Sequence, residues 1–157
     1  MPFEIKALVA KKVILAELAH KFSAGRVVDL VGDIGLMPVT EALDREINPD
    51  SAFPYEGLHL SAGIAGLAAE ESVSSPVSFI EAEYGGGKNH QASVIFVDGR
   101  IDKGPIIDDS IWDPREAGLQ DRPVDQALRA VGVIAEDESD EWDAAGLSRH
   151  RCTDDWK

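Results

Sequence analysis

The sequence predicts an α+β fold: a single domain in which an antiparallel β-meander is flanked by helices. Three observations carry this expectation. Residues 77–84 and 91–97 are neighbouring segments rich in β-branched and aromatic residues, the composition of paired strands. Asp98-Gly99 follows them at once, a two-residue turn that lets the chain return as a third strand. Segments with helical periodicity and recognisable caps lie on both sides of this block. Residues 1–135 are expected to form the α+β domain, and residues 136–157 an acidic C-terminal tail, loose or packed on that domain.

From the N-terminus, residues 3–10 suit a strand, although their alanines leave helix open. Residues 12–22 place Ile14, Leu15, Leu18 and Phe22 at helical spacing, until Ser23 and Gly25 interrupt. Arg26 to Val31 reads as a short helical turn or as a strand. Gly32 to Gly35 is a turn, and the following Leu-Met-Pro-Val is extended. Thr40 is placed to cap a helix starting at Glu41, with acids in the first turn where the helix dipole favours them. Asn48-Pro-Asp-Ser ends it.

Ser61 caps a second helix, Ala62 to about Glu71, whose small residues let another element approach its backbone. In the first strand of the central pair, Ile80, Ala82 and Tyr84 share one face, and Phe79, Glu81 and Glu83 the other. Arg100 to Ile107 is expected as an edge strand interrupted by Gly104-Pro105. Pro123 stands at the first turn of a helix that runs to about Val131 and closes at Gly132.

Between the paired strands lies Gly85-Gly86-Gly87-Lys88-Asn89-His90. It is not a phosphate loop: Asn89 follows the lysine, and the next segment is a strand rather than the helix whose N-terminus would hold a phosphate. Three glycines allow a bulge or a wide hairpin connection. Lys88, Asn89 and His90 would then stand at an exposed loop tip, where a partner could be touched.

Other chemistry is sparse. The four histidines show no zinc-binding spacing, no G-x-S-x-G elbow is present, and the aspartates near residue 102 lack the spacing of a calcium loop. No cofactor and no metal is therefore expected. Glu81, Glu83 and His90, gathered near the glycine loop, form the basis of an alternative reading as a small-molecule enzyme.

Charge is the strongest global signal. Against 15 Lys and Arg stand 29 Asp and Glu, a net charge of −14. That balance disfavours nucleic acid and anionic membrane, both of which need basic clusters, and it favours a basic protein partner. Glu136, Asp137, Glu138, Asp140, Glu141 and Asp143 place six acids in eight residues around Trp142. Such a run is ordinarily solvated. A tryptophan ringed by acids is also a recognisable interface anchor, and Leu147 and Trp156 could pin the tail to the domain. The single cysteine, Cys152, and an N-terminus without the basic and apolar regions of a signal peptide suggest a cytoplasmic location. No run of apolar residues is long enough to span a bilayer.

The stretches Glu81-Ala-Glu-Tyr-Gly-Gly-Gly, Gln91-Ala-Ser-Val and Pro123 to Gly132 resemble segments of small bacterial proteins of uncharacterised families. In size and acidity these are similar to immunity proteins, which neutralise toxins. The resemblance implies a protein-binding role and assigns no residue. The leading expectation is thus a non-enzymatic protein-binding module, most concretely an immunity protein that occludes a basic toxin. A further alternative is a homo-oligomer, in its simplest form a homodimer, pairing through the exposed strand edge near Ile101.

Overall fold

A computed structural model describes residues 2–48, 52–85, 88–109, 122–136 and 140–156. Six antiparallel strands form one sheet in the order β2-β3-β1-β4-β5-β6. They are β1 (Phe3–Lys11), β2 (Val28–Val31), β3 (Ile34–Pro38), β4 (Val77–Gly85), β5 (Lys88–Val97) and β6 (Arg100–Asp108). The helices among the described residues are α1 (Lys12–Ala19), α2 (Glu41–Ile47), α3 (Ala62–Glu71), α4 (Pro123–Val131) and α5 (Glu141–Ala145). The fold is α+β, with β4, β5 and β6 as its meander.

Period-two alternation makes the sheet two-sided. Leu8, Met37, Phe79, Val94 and Phe96 point to one face and are buried under Ile14, Leu15 and Leu18 of α1, Leu43 of α2 and Ile64 of α3. Ile5, Val9, Leu36, Ile80 and Ile95 point to the other, where Val124, Leu128 and Val131 of α4 cover them together with Ala145, Leu147 and Trp156. Ala7 to Ala10 of β1 and Val77 to Ala82 of β4 are thereby buried on both sides, Ser78 and Glu81 among them.

Local signals place most boundaries. Thr40 Oγ1 accepts the Leu43 N–H at 3.2 Å, and Ser61 Oγ accepts the Ile64 N–H at 3.2 Å. Pro123 opens α4, and Gly132 closes it in the left-handed region at φ 111°. Asp98 and Gly99 both adopt positive φ in the β5–β6 turn. A Cβ on Gly63 would lie 2.7 Å from the Ile47 carbonyl oxygen, so the small residues of α3 do admit the end of α2.

Several expectations need correction. The first helix ends at Ala19 rather than at residue 22, because the chain folds back over its end: a Cβ on Gly25 would meet the Ala19 carbonyl oxygen at 2.7 Å. Residues 28–31, left open between helix and strand, form an edge strand. The third strand of the meander, β6, spans Gly104-Pro105, but its pairing with β5 breaks there as expected: the register shifts opposite Ser93–Ile95. Lys88, Asn89 and His90 do not form a loop tip. The β4–β5 ladder continues to Glu83↔His90, Tyr84↔Asn89 and Gly85↔Lys88, so all three belong to a strand.

The segment after residue 140 closes the sheet. β3 pairs with β1 only over Ala7–Lys11, which leaves the beginning of β1 uncovered on that side. There the Glu4 N–H donates to the Arg151 carbonyl at 2.8 Å and the Lys6 N–H to Thr153 Oγ1 at 3.0 Å. Trp156 is 1% exposed, with the His150 ring edge-on at 4.7 Å and the Arg149 guanidinium 5.1 Å from its centre.

Candidate functional site

Two clusters of polar and aromatic side chains stand out, one on each face of the sheet. The first begins from strand alternation: Phe3 of β1 and Tyr84 of β4 are register partners on the α4 side. α5 brings the ring of Trp142 against both. Ring centres are 5.3 Å apart for Phe3–Trp142, 6.2 Å for Tyr84–Trp142 and 6.3 Å for Phe3–Tyr84, all tilted or edge-on. Aromatic quadrupoles favour such arrangements.

These rings line a concavity of about 400 Å³ together with Gln91, Arg122, Asp125, Asp140, Asp143 and Ser148. Hydrogen bonds fix its walls. The Trp142 backbone N–H donates to Asp125 Oδ1 at 2.9 Å, and its indole N–H to Ser148 Oγ at 2.9 Å. Gln91 donates to the Tyr84 hydroxyl and, through its own oxygen, accepts the Val124 N–H at 3.1 Å, tying the ring to the first turn of α4. Burial raises the Tyr84 phenol above its ordinary range, outweighing the Gln91 hydrogen bond that opposes the rise. The ring is therefore neutral at physiological pH.

Asp140 caps α5, accepting the Asp143 N–H at 2.9 Å, and Glu141 is buried against Arg129 with an Nε–Oε1 distance of 2.8 Å. Burial, and then the neighbouring Asp140 charge, raises the carboxyl of Asp143. The acidic strip is thus not a solvated run from Asp140 onward: capping, an ion pair and the Trp142 ring seat it on the domain. Glu136 is exposed beyond α4, while Asp137 and Glu138 lie outside the described residues.

The second cluster centres on Glu81, a carboxylate only 3% exposed on the α2–α3 side of β4. It accepts the His59 backbone N–H at 2.8 Å and stands 2.6 Å from His90 Nε2 and 3.2 Å from His59 Nδ1. The other nitrogen of His90 meets Asp109. Burial depresses the imidazole's affinity for protons, but hydrogen bonds to Asp109 and Glu81 and their charges outweigh it, so its pKa is raised. With both ring nitrogens engaged by carboxylates, His90 lacks the free lone pair of a general base. The cluster binds the segment at residue 59 to the β4–β5 hairpin. Asn89 is half-buried in β5 beside it.

Sequence reasoning singled out Trp142 with Asp140 and Asp143, and His90 with Glu81, but not the rest of their surroundings. Phe3, Tyr84, Gln91 and Asp125 around the first, and His59 and Asp109 around the second, are distant in sequence and carry no shared motif. Among the described residues no group of three or more His, Cys, Asp or Glu is arranged to hold a metal ion. No helix among them is long and apolar enough to cross a membrane.

Fold and site together define an α+β protein with helices on both faces of a six-stranded antiparallel sheet, carrying a carboxylate-rimmed aromatic concavity on one of them. Comparisons with protein-family models, with curated proteins and with solved structures find no match for this chain.

Proposed function

We propose that this protein is a non-enzymatic binding module for a basic protein, most concretely a bacterial immunity protein that occludes a toxin in the cytoplasm. One observation carries the reading: a tryptophan ring braced by two other aromatic rings lines a concavity edged by Asp125, Asp140 and Asp143. Aromatic anchors in such sites supply much of the energy of an interface, and rim charges supply encounter rate. The net charge of −14 adds long-range attraction for a basic surface.

The enzyme alternative has less support, because Glu81 and His90 satisfy one another and their neighbours. Pairing of two copies through β6 has less support too. That edge carries Pro105 and the charged Arg100, Asp102 and Lys103, residue types that blunt strand edges, and Ile101 packs inward.

The test is binding and protection together. A basic toxin whose gene neighbours this one would be co-expressed with the wild-type chain, with Trp142→Ala and with Asp140→Lys/Asp143→Lys. Rescue of growth by the wild type is expected. The charge reversals should slow association, and Trp142→Ala should speed dissociation about 30-fold, equivalent to ~2 kcal/mol. Rescue and kinetics unaffected by all of these changes would overturn the proposal.

A further inference from the structure

We infer that the concavity formed by Phe3, Tyr84 and Trp142 is a receptor for one arginine side chain of the partner. This rests on the binding-module reading and names the group that the module would recognise.

Charge excludes the other classes. Three aspartates line the space beside a single guanidinium, that of Arg122, which is buried in the wall and lies 3.8 Å from Asp108. An anionic group entering there meets three carboxylates. A purely apolar group would strip water from those carboxylates and return no hydrogen bond. A cation gains from both the rings and the rim, since the aromatic face attracts positive charge most strongly for tryptophan.

Geometry favours guanidinium over ammonium. The Phe3 and Tyr84 rings are tilted by 49° and 69° against Trp142, and all three line the concavity. A planar, weakly hydrated guanidinium can stack on an aromatic ring and still present several N–H donors to the rim, whereas an ammonium meets the ring only as a compact, strongly hydrated charge. Asp140 and Asp143 stand three positions apart at the start of one helical turn, so their carboxylates edge the same side. Among the described residues, one Asp140 oxygen is engaged, by the Asp143 N–H. The exposed Asp143 carboxylate and the remaining Asp140 oxygen suit the several N–H donors of one guanidinium. Burial, and then the Asp140 charge, raises the Asp143 carboxyl, and a cation placed between the two aspartates relieves both contributions.

The experiment uses three short capped peptides that are identical except for a central arginine, lysine or citrulline. Citrulline keeps the planar shape and loses the charge. Binding to the full chain would be followed by the NMR shift of the Trp142 indole N–H, assigned with Trp142→Phe. The arginine peptide should shift that signal saturably, with citrulline and lysine each about tenfold weaker. Asp140→Asn/Asp143→Asn should weaken arginine about tenfold and leave citrulline unchanged; Asn at position 140 preserves a capping oxygen, so α5 stays formed. Equal binding of citrulline and arginine, or no saturable shift with any peptide, would overturn the inference. Selective arginine binding combined with a toxin indifferent to Trp142 would uphold the inference and sink the proposed function. A toxin dependent on Trp142 combined with no arginine preference would do the reverse.

Discussion

Trp156 offers the sharpest check on how the C-terminal segment is held. Its ring is 1% exposed within the core beneath α4, and truncation to alanine removes a whole indole that the surrounding β1 and α5 side chains cannot easily refill. Such substitutions cost about 3–5 kcal/mol, a large part of the ~5–15 kcal/mol that stabilises a typical domain. Trp156→Phe is a different perturbation. Among the described residues the indole N–H has no hydrogen-bond partner although it is buried, an arrangement that costs about 1–3 kcal/mol. Phenylalanine removes that donor, keeps a ring for Arg149 and His150, and gives up some apolar area. The two changes nearly offset, so its stability should stay within about 1 kcal/mol of wild type. Urea unfolding followed by far-UV circular dichroism would measure both variants. Hydrogen exchange would locate the effect, since the Glu4 and Lys6 amides are bonded to Arg151 and Thr153 and should lose protection first in Trp156→Ala. Equal damage from Phe and Ala, or an alanine variant less than about 1 kcal/mol below wild type, would refute the reasoning.

Two further predictions concern the other face. The pKa of His90 is raised in the folded state, so its protonation stabilises the protein fully below the unfolded value of 6.5 and less as pH climbs through the folded one. Wild-type stability should therefore fall between neutral and alkaline pH, and His90→Gln should flatten that fall; an unchanged slope in the variant would show that His90, held by Asp109 and Glu81, does not control it. In α3, Gly63→Ala should destabilise by about 1–3 kcal/mol because the new Cβ lies 2.7 Å from the Ile47 carbonyl oxygen. Gly66→Ala meets nothing within 4 Å and should instead stabilise by about 0.5–1 kcal/mol, so thermal melts of the pair should move in opposite directions.

What could be read in the sequence was what short-range chemistry decides. Thr40, Ser61, Pro123 and Gly132 announce helix ends because capping involves residues only a few positions apart. The β4–β5 pair was legible from apolar alternation, and its face assignment for Ile80, Ala82, Phe79 and Glu81 is the one observed. Lys88 to His90 escaped because polar residues can extend a ladder that their apolar neighbours have already aligned. The acidic strip looked solvated because charge density says nothing of Arg129, which neutralises Glu141, or of Asp125, which holds the Trp142 backbone. Trp142 was visible as an oddity; its meaning depends on Phe3 and Tyr84, which only the sheet register brings beside it.

The closure of β1 by residues 151–156 also sets an order of events during synthesis. Lys6 and Thr153 are separated by 147 positions, so the Glu4 and Lys6 amides wait without these partners until residues 151 and 153 have left the ribosome. Its β4 neighbours arrive well before the Arg151 carbonyl. Such non-local pairing slows folding, because the entropy of closing a long loop is lost before any contact rewards it. During that interval Phe3 to Lys6 has an open edge on that side, the kind of segment that recruits other nascent chains. A translation stall before residue 150 would release a chain whose sheet is formed but not sealed.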